Sequence, residues 1–144
     1  MGCDVHLFAE IKVAGKWLLY MQPRVDRCYA LFEKMAGVRG DVREAIAPPR
    51  GIPSDASEAT VFCAEYDKRD AHSHSWLDAR EIAELCAWAR RELKPYRATY
   101  MDKWDFEAET GSYLFGNSWE GFTLYPDSRP KGVEDVRFVF WFDN

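Results

Sequence analysis

The run Val136-Arg137-Phe138-Val139-Phe140-Trp141-Phe142 constrains this chain more than any other segment. In an extended backbone Val136, Phe138, Phe140 and Phe142 face one way, while Arg137, Val139 and Trp141 face the other. A strand with one wetted side alternates apolar and polar residues. This one is apolar on both sides and belongs in the middle of a sheet, with material packed above and below it. Asp143 and Asn144 follow at once, so the end of that strand is polar.

A partner for it is legible at the other end of the sequence. From Cys3 to Val13 the pattern alternates, with Cys3, Val5, Leu7, Ala9, Ile11 and Val13 forming an apolar face. The opposite face carries Asp4, His6, Phe8, Glu10 and Lys12. Ala14-Gly15-Lys16 reads as a turn into a second strand over Trp17 to Met21, giving a β-hairpin. Pro23 ends that strand. Asp26 is placed to cap a short helix through Ala36, whose apolar stripe is Cys28, Leu31, Phe32 and Met35, with Gly37 as its stop.

From Val38 to Thr60 the chain is rich in turn residues, notably Pro48-Pro49-Arg50-Gly51-Ile52-Pro53, and a loop of that length is more often functional than idle. Val61 to Glu65 reads as a short strand. Asp78 and Glu81 form a capping box for a helix to about Leu93, burying Ile82, Leu85, Cys86, Ala89 and Leu93. Pro95 is expected to stop it. Residues 96 to 125 read as short strands and turns. The expectation is therefore one α+β domain over residues 1–144: an antiparallel sheet of N-terminal hairpin, middle strands and C-terminal strand, with two helices packed on one face.

Composition narrows function more than it names it. A net charge of −5 disfavours nonspecific binding to a DNA or RNA backbone. Arg24, Arg27, Arg39, Arg43 and Arg50 nevertheless gather in one third of the chain and leave room for a basic pocket. Aromatic residues make up 15% of the sequence, enough to build both a core and a flat ligand surface. The four cysteines at 3, 28, 63 and 86 form no C-x-x-C pair. With no secretory start and no apolar run of spanning length, the expectation is a cytoplasmic protein with reduced thiols. Cys3 falls on the apolar face, which argues for packing rather than nucleophilic chemistry.

Two of the three histidines follow an aspartate by two residues, in Asp4-Val5-His6 and Asp70-Ala71-His72, and His74 lies two further on. In a regular extended backbone Asp70, His72 and His74 project to one side. Joined by Asp4 and His6 they would make a site for Zn²⁺, Mn²⁺ or Fe²⁺. Bound water would then be activated for hydrolysis, with Glu10 as general base and Arg24 and Arg50 holding a phosphate. Without a metal, His72 and His74 suit an acid/base pair acting on a phosphodiester. The third reading is structural: a Ser- and Asp-rich turn ahead of the Asp78 helix. Trp76, Trp104, Trp119 and Tyr113 are candidates for stacking on a base.

The start Met1-Gly2-Cys3-Asp4-Val5-His6, the segment Arg27 to Phe32, the stretch Asp70 to Leu77 and the ending Val139 to Asn144 together resemble a family of small proteins of tailed bacteriophages and prophages. Members typically begin Met-Gly-Cys-Asp-Ile-His, and Val5 is a mild variant. The resemblance spans the chain and implies an infected-cell setting, but it carries over no activity. The function expected is an accessory, counter-defence protein recognising a small nucleotide-like ligand through a His/Asp site, with metal-dependent phosphodiester hydrolysis as its enzymatic form. The alternative is a non-enzymatic inhibitor that sequesters a nucleotide signal or covers a host defence protein.

Overall fold

The computed structural model describes residues 2–23, 25, 27–100 and 129–144, and the side chains of all of these except 94–100. In chain order the elements are β1 (Asp4–Val13), β2 (Lys16–Met21), α1 (Tyr29–Ala36), a 3-10 turn (Val42–Glu44), α2 (Glu58–Asp67), β3 (His72–Asp78), α3 (Ala79–Tyr100) and β4 (Val133–Asp143). The strands form one antiparallel sheet in the order β2-β1-β4-β3. As expected, β4 is central, and every residue from Val136 to Phe142 is no more than 5% exposed.

The hairpin turn places Ala14 at φ 49° and Gly15 at φ 76°. Two successive left-handed residues make the tight turn whose twist matches that of the strands it joins. Helix α1 closes on Gly37 at φ 74°, with Gly37 N–H donating to Glu33 O and Val38 N–H to Phe32 O. A side chain at Gly37 would also collide with the Val42 backbone, so both conformation and space require glycine there.

The main core lies on one side of the sheet. Phe138, Phe140 and Phe142 of β4, with Leu7 and Ala9 of β1, meet Leu31, Phe32 and Met35 of α1 and Ile82, Leu85, Cys86, Ala89 and Leu93 of α3. These are the two helices expected on one face. Cys3, Cys28 and Cys86 are buried there, and burial pushes the Cys28 thiol up.

Four details differ from the sequence reading. Helix α1 starts at Tyr29 with Cys28 as its N-cap and no side-chain capping bond; Asp26 lies outside the described residues. The segment expected to form a strand at Val61 to Glu65 belongs to helix α2. Ser57 caps it by accepting the Thr60 N–H, and Thr60 and Ala64, one turn apart, bury its inner side. Helix α3 passes Pro95 and ends at Tyr100, and its expected apolar stripe from Ile82 to Leu93 is buried. Finally, α2 and the preceding loop cover the second face of the sheet, and a smaller cluster of Phe8, Trp141 and Ala64 forms beneath them. Residues 101–128, including Trp104, Tyr113 and Trp119, lie outside the described residues. No described helix is long and apolar enough to cross a membrane.

Candidate functional site

The histidine stretch does not form a regular strand. His72 pairs with Phe142 and Ser75 with Phe140, so three steps along β3 match two along β4. The extra residue is taken up at Ser73, which sits at φ 54°. Residues directly opposite in a sheet share a face, and a bulge reverses the faces beyond it. His72 therefore stacks on Phe142 at 6.2 Å, on the side of the main core. His74 stacks on Trp141 at 5.6 Å, on the other side.

This overturns the premise that the two imidazoles project together. His72 turns inward, with Nδ1 hydrogen-bonded to Ser73 Oγ at 3.0 Å and a buried Nε2 that has no hydrogen-bond partner among the described residues. Asp70 is exposed in the turn before β3. His74 is pulled below the ordinary histidine pKa, first by burial and then by the proximity of His72.

What the sheet does bring together is a row of three rings on adjacent strands. His6 of β1 pairs with Trp141 and stacks on it at 6.1 Å, while His74 of β3 stacks on the far side. Two strand spacings separate the histidines, about 9.5 Å, too far for one ion. Trp141 is fully buried, packs on Phe8 at 4.6 Å, and its indole Nε1–H lacks a partner among the described residues.

His6 is the residue of this row with developed polar surroundings. Its Nε2–H donates to Asp143 Oδ2 at 2.8 Å, and its Nδ1 lies 3.7 Å from Asp67 Oδ2 at the end of α2. Each of the three side chains is about a third exposed. Asp143 also accepts the Asp4 N–H, which ties the carboxylate in place. Asp4 itself turns to Arg27, receiving Nε at 2.9 Å and Nη2 at 2.7 Å. That bidentate pair holds the Asp4 carboxyl below its ordinary pKa.

The expected metal set is thus dispersed. Asp4 is paired to Arg27, His72 and His74 face opposite ways, and the carboxylates beside His6 address different ring nitrogens, so they do not converge on one point. Among the described residues no group of three His, Cys, Asp or Glu is placed to hold a metal ion.

Glu10 shares the His6 face but lies two pairs along, fully buried. Its Oε1 accepts from Arg137 Nε at 2.8 Å, and its Oε2 accepts from Ser57 N and Thr60 Oγ1, both at 2.8 Å. Arg137 in turn reaches Asp55 at 2.8 Å and stacks over Trp17 at 4.0 Å. Glu10 thus anchors the start of α2 and is out of reach of His6. Arg50 and Trp76 do meet, with the guanidinium 3.9 Å over the indole, but Arg50 is also bound to Glu81 at 2.7 Å and to the Trp76 carbonyl. They clamp the outer edge of β3. Burial pushes the Glu81 carboxyl up, against the pull of Arg50. Arg24 lies outside the described residues.

Beside His6 the structure opens a cleft of 290 Å³ lined by Gln22, Phe62, Cys63, Tyr66 and Asp67. Phe62 is 71% and Tyr66 83% exposed, one helical turn apart. Asp67 belongs to both the cleft and the His6 contact. Sequence pattern alone does not join Asp67, Phe62, Tyr66 and Trp141 into one site, because it makes Val61 to Glu65 a short strand rather than part of α2. The usable signal was the Ser57 cap, which sets Phe62 and Tyr66 four apart on a helix. No family model, curated protein or solved structure matches this chain.

Proposed function

We propose that this protein recognises a small, flat, polar ligand of nucleobase type at the cleft beside His6, and that it does so without a bound metal. The observation that carries the reading is His6 set between Asp143 and Asp67, with Asp67 also lining the cleft. Asp143 fixes the imidazole in orientation. Asp67 and Gln22 offer hydrogen-bonding groups, and Phe62 and Tyr66 offer ring faces. At 290 Å³ the cleft suits a base rather than a whole nucleotide. The phosphate of a nucleotide would extend outward from it. Within the setting that the resemblance implies, this is a phage accessory protein whose task is to bind a nucleotide-like signal. Acid–base chemistry at His6 would be the enzymatic form of the same site.

The test is a panel of cyclic and linear nucleotides incubated with the purified protein, read by tryptophan fluorescence and by analysis of ligand released on heating. Binding is expected to persist in EDTA. Asp67→Asn and His6→Gln are expected to weaken it by about tenfold or more, the equivalent of losing one charged hydrogen bond. Intact ligand on release identifies sequestration, and cleaved ligand identifies hydrolysis. Binding unchanged in both variants, or none across the panel, defeats the proposal.

A further inference from the structure

Of the described residues that line the cleft beside His6, Asp67 is the one that carries a charge. Its side chain is 31% exposed, and an ionised carboxylate only accepts hydrogen bonds. The neighbouring imidazole does not supply the donor. Asp143, also an acceptor, takes the His6 Nε2–H at 2.8 Å, and in a neutral imidazole that donation leaves a lone pair at Nδ1. Nδ1 and Asp67 Oδ2 therefore face each other as two acceptors, and their separation of 3.7 Å is longer than a hydrogen bond. Both carboxylate oxygens keep lone pairs for donors that a ligand brings into the cleft.

We infer that the base read in this cleft is guanine, an inference that rests on the cleft being the base site proposed above. The two oxygens of a carboxylate match a pair of parallel N–H donors. Guanine presents such a pair on its Watson–Crick edge, N1–H beside the N2 amino group. Adenine sets its amino group beside the N1 lone pair, and cytosine sets its own beside the N3 lone pair. Uracil has one N–H between two carbonyls. Each of these three would aim a lone pair at one oxygen of Asp67, and an acceptor left facing an acceptor discriminates more sharply than a change in ligand size. Guanine O6 comes next along the same edge and accepts from an amide, the group that Gln22 carries. Phe62 and Tyr66, one turn apart on α2, offer faces for the purine ring.

The probes are guanosine, inosine and adenosine, titrated into the full chain at neutral pH and followed by calorimetry. Inosine keeps the N1–H and O6 of guanosine but has a hydrogen in place of the amino group. Guanosine is expected to bind about tenfold more tightly than inosine, and more tightly still than adenosine. In Asp67→Asn, with folding checked by circular dichroism, guanosine should lose about tenfold and inosine less, so that the two bind nearly alike. Equal binding of guanosine and inosine by the unsubstituted chain, or a preference for adenosine, would overturn the inference and leave the base site standing. A guanosine preference that survives in Asp67→Asn would do the same. Methylguanidine carries the same fork of donors without a base, and affinity equal to that of guanosine would overturn the inference in favour of a guanidinium ligand. Binding of none of the three nucleosides defeats the base site and the inference together. The guanosine and inosine comparison needs no substitution, so it decides the matter even if Asp67→Asn does not fold.

Discussion

Arg137 is the residue on which the second face of the sheet depends. Its side chain is 6% exposed and that of Glu10 is wholly buried, with Asp55 as the outer partner. A buried pair of this kind adds little net stability over an apolar pair, but removal of one charge strands the other. Glu10→Gln is therefore expected to destabilise the protein by about 3–5 kcal/mol, measured by urea denaturation, and to loosen α2 through Ser57 and Thr60. A catalytic role for Glu10 would instead leave stability nearly untouched. The pair was within reach of the sequence. Alternation set Glu10 and Arg137 on marked faces of the first and last strands, and only the register joining them was missing. His74 makes a second residue-scale prediction. Burial lowers its pKa in the folded state, so the unfolded chain binds the proton more readily. Stability should fall as pH drops through about 6.5, and His74→Gln should flatten that part of the profile. Asp4 acts lower. Its pairing with Arg27 stabilises above the ordinary carboxylate range, and that contribution disappears as pH falls below about 4.

At the scale of elements, the informative contrast is between β4 and α2. The strand was legible because apolar residues on both faces of a seven-residue run leave few other solutions. The helix was misread because Val61, Phe62 and Cys63 look like a buried strand when only local pattern is weighed. Its formation depends on Ser57, which caps Thr60, and on Glu10, a residue 47 positions earlier that receives the Ser57 N–H. No local window contains that interaction. Ser57→Ala is expected to cost about 1–2 kcal/mol, seen as a lower denaturation midpoint with faster amide exchange confined to α2. Asp67 and Tyr66 lie in the last turn of this helix, so the same variant should weaken the ligand binding proposed for the cleft. The β3 bulge was illegible for a related reason. A strict two-residue period puts Asp70, His72 and His74 on one face, but a single left-handed residue at Ser73 sends the histidines to opposite faces. The Asp4-Val5-His6 spacing marks His6 in the sequence, but its contacts with Asp143 and Asp67 exist only once the strands and α2 are in place.

For the whole molecule, the pairing of β1 with β4 sets Asp4 opposite Asp143, with the Asp4 N–H bonded to the Asp143 side chain. Opposed residues in an antiparallel pair have Cα atoms about 5 Å apart, so a few residues suffice to link Asp4 to Asp143. A circular permutant linked in that way and opened between Ala14 and Gly15 is expected to regain the same sheet, with an unchanged far-ultraviolet circular dichroism spectrum. Loss of folded structure would show that the hairpin turn organises the sheet rather than merely connecting it. The same adjacency governs how the protein is made. Asp4 and Asp143 are 139 positions apart in sequence, and β4 supplies the middle of the sheet. A ribosome working at roughly 10 residues per second therefore keeps β1 waiting for more than about ten seconds without its principal neighbour. During that interval the nascent chain offers an unpaired strand and a half-built core to whatever else is present. Its most vulnerable period is thus the time of its own synthesis.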